Sequence, residues 1–199
     1  MQNAILYVHG KGGSADEAEH YRDLCRGYDV FGLDYRGSTP WDTKDELRAA
    51  FDGLSAKYET VTVVANSIGA YFAMHALQGY PVAQALFVSP IVDMEQLIRD
   101  MLSWAGATEA DLEARREIET DFGETLSWDY LRYVREHPLA WTAPTRILYG
   151  DGDNLTSPDT VRAFADAHGA DLETMPGGEH WFHTPAQMAF LDAWIQRYL

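Results

Sequence analysis

Short apolar runs alternate with stretches of helical period along most of the chain. The runs are Ala4–Val8, Val30–Leu33, Val61–Ala65, Ala85–Val88, Arg146–Tyr149 and the alternating Leu172–Met175. Four or five residues that are apolar nearly throughout suit strands covered on both faces, the condition of a parallel sheet. Between them, residues 15–26, 43–57, 69–79, 158–168 and 185–198 carry helical periodicity. Ser14 and Thr43 stand where N-caps belong, and Ser157-Pro158 and Thr184-Pro185 follow the pattern of a cap before a proline at the first helical position. This alternation predicts an α/β domain with about six mostly parallel strands and helices on both faces.

The rhythm breaks between Asp93 and Trp141. No strand is expected there, only two or three amphipathic helices. Thr108-Glu109-Ala110-Asp111 resembles a capping box, and Ser127 caps a helix that should end near Pro138. The reading is one domain over residues 1–199 with a helical insertion at about 93–141. That insertion holds twelve acidic residues against five basic ones, with Trp104, Trp128, Tyr130, Tyr133 and Trp141 among them.

Composition narrows the partners. At 46% hydrophobic residues the chain can bury a core, so disorder is excluded despite a net charge of −16. That charge, without any Lys/Arg run, argues against nucleic acid or an anionic membrane as partner. Cys25 is the single cysteine, so no intrachain disulfide forms, which fits a reducing compartment. No apolar run approaches a membrane span, and no basic leader precedes the first strand, so a cytoplasmic location is expected.

The strongest chemical signal is Val61-Thr62-Val63-Val64-Ala65-Asn66-Ser67-Ile68-Gly69-Ala70. A buried strand enters a small–x–Ser–x–small turn and then a helix. A serine on so sharp a turn needs small neighbours two positions away on each side. The turn lifts its hydroxyl above the sheet, over a helix N-terminus that favours developing negative charge. A serine capping an ordinary strand-to-helix turn would use similar residues, so other features must decide.

Two later segments decide it. Pro144-Thr145-Arg146-Ile147-Leu148-Tyr149-Gly150-Asp151-Gly152-Asp153 is a strand ending in G-x-x-D, and Met175-Pro176-Gly177-Gly178-Glu179-His180 places a histidine after the last strand. With the serine turn, they follow the order Ser, acid, His, and the chain resembles the α/β-hydrolase family. Ala65 stands where that family's motif has its first glycine. The resemblance implies a single-domain α/β-hydrolase fold with a helical cap, lacking two N-terminal strands of larger members. It implies Ser67 as nucleophile, His180 as base and Asp153 as acid, with the backbone N–H groups of Lys11 and Ile68 as oxyanion donors. The implied activity is a serine hydrolase acting through an acyl-enzyme on small carboxylic esters, with a small ester-like molecule as partner and neither metal nor cofactor. Trp104, Trp128 and Tyr133 are candidates for binding substrate.

The same residues admit alternatives. Asp93, after Ser89-Pro90, and Asp151, two residues before Asp153, compete for the acid's place. His9 reads as support for the following glycine loop, His75 as a packed or surface residue, and Cys25 as a structural thiol. His183, three residues after His180, has no third ligand at metal-site spacing. Gly10-Lys11-Gly12-Gly13-Ser14-Ala15, with Asp34 ending the second strand, resembles a dinucleotide fingerprint, though Asp16 and Glu17 occupy the helix start that would receive pyrophosphate. An oxidoreductase using that loop, and a hydrolase-fold protein that binds without turnover, are the competing functions.

Overall fold

A computed structural model describes residues 2–199. In chain order the elements are β1 (Asn3–Val8), a 3₁₀ turn (Ala15–Glu17), α1 (Ala18–Leu24), β2 (Tyr28–Leu33), α2 (Pro40–Ser55), β3 (Thr60–Asn66), α3 (Ile68–Leu77) and β4 (Gln84–Val88). There follow α4 (Met94–Trp104), α5 (Glu109–Arg115), β5 (Glu117–Glu119), β6 (Thr125–Ser127), α6 (Trp128–Glu136), β7 (Thr145–Gly150), α7 (Pro158–His168), β8 (Asp171–Met175) and α8 (Pro185–Tyr198). They form two compact units, Asp93–Leu139 and the remainder of the chain.

The larger unit is built on a six-stranded sheet in the order β2-β1-β3-β4-β7-β8. Every neighbouring pair is parallel. The six expected apolar runs are these six strands. Tyr7 pairs with Val64 and Val64 with Leu86, so these side chains share a face. There they join Ala18 and Tyr21 of α1 and Leu191, Trp194 and Ile195 of α8 in one buried cluster. Leu6, Val8, Val63, Ala65, Ala85, Phe87 and Ile147 form the opposite row, and none is more than 1% exposed. Each fully buried large side chain contributes about 1.5–3 kcal/mol, so a sheet covered on both faces is where the stability lies.

Chain direction in the sheet reverses once. From β1 the chain steps outward to β2, and then crosses back over β1 to β3. Right-handed crossovers send the connecting helices to opposite faces at that point, which opens a crevice beyond the carboxyl ends of β1 and β3.

The start of α2 differs from expectation. Thr39, not Thr43, is its N-cap, accepting a bond from the Asp42 N–H, with Pro40 at the first helical position. Thr43 lies a turn inside, fully buried, and its hydroxyl donates to the Thr39 carbonyl. Thr39-Pro40 is the same cap-and-proline signal seen at Ser157 and Thr184.

The smaller unit corrects the expectation of helices alone. β5 and β6 pair antiparallel, Ile118 opposite Leu126, and both of these side chains are buried. The hairpin turns at Gly123, whose φ of +83° suits glycine, and Thr120 closes it by bonding Glu124. Each strand has three residues and one apolar side chain, too little for a periodic signal. The unit's helices are tied by Arg135 of α6, whose guanidinium grips the Glu109 carboxylate with two nitrogens and reaches Glu95 with the third. The Arg135 hydrogen bonds hold the Glu109 carboxyl below its ordinary range. Among the described residues, no helix is long and apolar enough to cross a membrane.

Burial governs the alkaline behaviour of the larger unit. It pushes the Cys25 thiol up to about 11 and raises the phenols of Tyr7, Tyr21 and Tyr35 well above their usual range. Each group is neutral in the fold where the unfolded chain would already be ionised. Stability from these groups is therefore complete below the unfolded values and is lost as pH rises through about 9–10 toward the folded ones. Native protein should leave Cys25 unreacted toward a thiol reagent at pH 8 while guanidinium-unfolded protein titrates one thiol, and the urea midpoint should fall steadily above pH 9. Rapid native labelling would contradict this burial.

Candidate active site

Asn66 ends β3, and Ser67 turns the chain into α3 with φ of 51° and ψ of −125°. A non-glycine residue rarely adopts that conformation, and it persists only when its surroundings hold it. Here they do. The Ser67 N–H donates to the Val88 carbonyl at 3.0 Å, while the Ser67 carbonyl accepts from Ile91 N–H at 3.1 Å and Ala70 N–H at 3.2 Å. The small neighbours have a steric cause. A methyl at Gly69 would lie 2.3 Å from the His9 carbonyl oxygen, and one at Gly10 3.1 Å from Ser67 Cβ.

The serine hydroxyl meets an imidazole. Ser67 Oγ lies 2.7 Å from His180 Nε2, and His180 Nδ1 lies 2.7 Å from Asp153 Oδ2. An ionised carboxylate only accepts, so Nδ1 carries the proton and Nε2 offers its lone pair to the Ser67 hydroxyl. Asp153 is held by its other oxygen, which accepts the N–H groups of Leu155 at 2.7 Å and Thr156 at 3.1 Å. Its side chain has no exposed surface, whereas that of His180 keeps 16%.

The competing carboxylates have other tasks. Asp151 Oδ1 accepts the Gly177 N–H at 2.6 Å, which ties the loop after β7 to the turn that delivers His180. Gly152 N–H donates to the Gly178 carbonyl between the same two loops. Asp93 caps α4 through the Gln96 N–H. The structure brings neither to an imidazole.

The first glycine loop lies beside the serine. His9 donates from Nδ1 to the Gly10 carbonyl, stacks on Tyr35 with ring centres 4.3 Å apart, and has its own carbonyl bonded by the Tyr35 hydroxyl. Lys11 lines the cavity above Ser67, and Ile68 is the first residue of α3, where backbone N–H groups have no partner within the helix. The loop does not present an open helix start to a pyrophosphate. Ser14 Oγ accepts the Asp16 N–H, and Glu17 Oε1 accepts the Ser14 N–H, closing the 3₁₀ turn with two acids in it.

A cavity of about 670 Å³ opens over Ser67 and His180. Its wall is apolar at Val88, Leu155, Phe182, Met188 and Leu191, and polar at a network the sequence did not reveal. Asn66 Nδ2 donates to the Tyr7 hydroxyl at 2.8 Å, and that hydroxyl donates to the Glu17 carboxylate. Tyr7 carried no warning, because an inward tyrosine at mid-strand reads as core. Trp181, next to His180, also borders the cavity. All these lining residues belong to the larger unit. The three substrate candidates read from the sequence are not among them and lie in the smaller unit: Trp104 is half-exposed against Phe122, Trp128 opens α6, and Tyr133 stacks on His137. Trp141 is a core residue of the larger unit, its indole N–H bonded to Thr145 Oγ1. His183 donates from Nδ1 to the Trp181 carbonyl.

Residues 5–193 match the sequence model of the alpha/beta hydrolase family. No curated protein matches the sequence significantly. Solved structures do resemble the fold. Est1E from Butyrivibrio proteoclasticus is 18% identical with a TM-score of 0.77, over 98% of this chain and 86% of that one. A putative hydrolase from Agrobacterium vitis S4 is 17% identical with a TM-score of 0.78, over 98% and 87%. An alpha-beta serine hydrolase homologue from Coxiella burnetii is 18% identical with a TM-score of 0.66, over 99% and 84%. At these identities the likeness is one of fold.

The turn's steric account is testable by a pair of substitutions. Gly69→Ala forces backbone against backbone and should cost about 1–3 kcal/mol in urea unfolding. Gly53→Ala, in α2 with nothing near its added methyl, should stabilise by about 0.5–1 kcal/mol. Equal effects would contradict the close approach at Gly69.

Proposed function

The chain belongs to the alpha/beta hydrolase family, and we propose that it works there as a serine hydrolase, forming an acyl-enzyme on small carboxylic esters. One observation carries this reading: the unbroken hydrogen-bonded series Ser67–His180–Asp153, with 2.7 Å at each link.

The chemistry follows from that series. A hydroxyl is a weak nucleophile, so Ser67 Oγ attacks the ester carbonyl as its proton passes to His180 Nε2. Asp153 keeps the imidazole in the required tautomer and stabilises the transient imidazolium. The carbonyl oxygen becomes an oxyanion, for which we assign the N–H groups of Lys11 and Ile68 as donors; losing one such donor typically costs about 2.7–4 kcal/mol. As the tetrahedral species collapses, the C–O bond to the leaving alcohol breaks and Nε2 returns the proton to that oxygen. Water then attacks the Ser67 ester, giving its proton to Nε2, and the acid departs with Ser67 restored. Every proton is accounted for by His180 alone.

The setting supports this reading. A net charge of −16 disfavours nucleic acid as a partner, and the buried lone thiol of Cys25 suits a reducing cytoplasm. The solved serine hydrolase homologue from Coxiella burnetii is similar in fold over nearly the whole chain.

A fluorophosphonate probe should label the wild type and leave Ser67→Ala unlabelled. On p-nitrophenyl esters of short acids, Ser67→Ala should lose at least about 10⁴-fold in kcat, and Asp153→Asn about 10⁴-fold, because the wrong tautomer is then favoured. Asp151→Asn should lose far less. A folded wild type that takes no label and turns over no ester would overturn the serine-hydrolase reading, and label without turnover would point to a binding protein.

A further inference from the structure

We propose that Trp181 is a stacking platform for an aromatic leaving group, so that esters of arylmethyl alcohols are the favoured substrates; this rests on the ester hydrolysis proposed above. At 73% exposure Trp181 is the most exposed large apolar side chain among the described residues, and it borders the cavity directly beside His180. A single exposed aromatic on a protein surface is ordinary. This one differs in being held.

One face of the indole lies on the His183 ring, with centres 4.5 Å apart and planes inclined by 19°. His183 is itself fixed at two points. Its Nδ1 donates to the Trp181 carbonyl at 2.7 Å, with the Glu179 carboxylate 3.5 Å from the same nitrogen, and its backbone N–H donates to Gln187 Oε1 at 3.1 Å. Gln187 is buried and also donates to Glu179, so the support is anchored in the first turn of α8. The result is a flat apolar surface backed on one face, with no second ring contact among the described residues. A platform ordered in advance loses little entropy when a ligand lies on it.

The position selects which half of the ester it serves. His180 Nε2 returns the proton to the departing oxygen, so the leaving alcohol must stand beside His180, where Trp181 follows in the chain. The neighbouring wall, Phe182 and Leu155, is apolar. A planar ring gains more from lying on an indole than a puckered one of equal size, because offset stacking adds to simple burial.

Benzyl acetate and cyclohexylmethyl acetate share an acyl group and differ in the flatness of the alcohol. After correction for their rates of alkaline hydrolysis, the wild type should prefer the benzyl ester by about tenfold in kcat/KM, mostly through KM. Trp181→Ala should bring that ratio close to one, and Trp181→Phe should restore most of it. A wild type that hydrolyses both esters equally well, or a preference that survives Trp181→Ala, would overturn the platform. So would a dependence on Trp181 that appears with methyl phenylacetate, where the ring is on the acyl side, and not with benzyl acetate. Binding is read separately by saturation-transfer NMR of benzyl acetate with Ser67→Ala, where adding Trp181→Ala should abolish transfer to the aromatic protons. Trp181-dependent binding by Ser67→Ala beside a wild type that hydrolyses neither ester would sink the hydrolase reading and keep the platform. Hydrolysis of both esters without Trp181 dependence does the reverse.

Discussion

The 2.7 Å contact between Ser67 Oγ and His180 Nε2 joins residues 113 positions apart, and the larger unit is arranged around making it possible. Parallel strands deliver their carboxyl ends to one edge of a sheet, so loops after β1, β3, β7 and β8 converge there without long connections. The reversal of direction at β1 opens the edge where β1 and β3 end. Backbone approaches too close for a side chain then set the spacing: Gly69 against the His9 carbonyl, Gly150 against Gly178. Because those contacts are between main chains, they leave little room for drift. The positive φ at Ser67 is a cost of this design, held by bonds to Val88 and Ile91 on the neighbouring strand and the segment after it.

Much of this was legible in the sequence, and the rest for definite reasons was not. Strands buried on both faces write themselves as continuous apolar runs, which is why all six sheet strands can be read. The serine turn is legible because sterics exclude most residues from Ala65 and Gly69. The hairpin at Glu117–Ser127 is not, since its strands hold one apolar residue each and its stability comes from packing within its own unit. Thr43 reads as a cap because threonine at a helix start is ambiguous when Thr39-Pro40 stands four residues earlier. Asp153 is favoured over Asp93 and Asp151 in the sequence only through its place in the G-x-x-D motif. Geometry separates them, because only Asp153 is turned by the Leu155 and Thr156 N–H groups toward the imidazole. The Asn66–Tyr7–Glu17 network joins a strand end, a strand centre and a 3₁₀ turn, and no local pattern connects those places.

Acidity has two meanings in this chain. In the Asp93–Leu139 unit, carboxylates such as Glu95 and Glu109 are consumed in ion pairs with Arg99 and Arg135 that fasten short helices together. In the larger unit, Glu17 faces the cavity and is tied to a buried phenol, while Asp151 and Asp153 are committed to backbone and imidazole. These three carboxylates thus each have a fixed partner. On the reading proposed above, the wall beside His180 is partly aromatic: Trp181 and Phe182 follow it directly in the chain and line the same cavity.

The proposed chemistry passes through a covalent acyl group on Ser67. Rapid-quench intact-mass analysis, mixing protein with excess p-nitrophenyl acetate and stopping in acid, detects it. A transient species heavier by one acetyl group should form, mapped by fragmentation to Ser67 and missing in Ser67→Ala, and should decay as acetate is released. Turnover with no adduct beyond noise in wild-type protein, or an adduct that persists in Ser67→Ala, would contradict it.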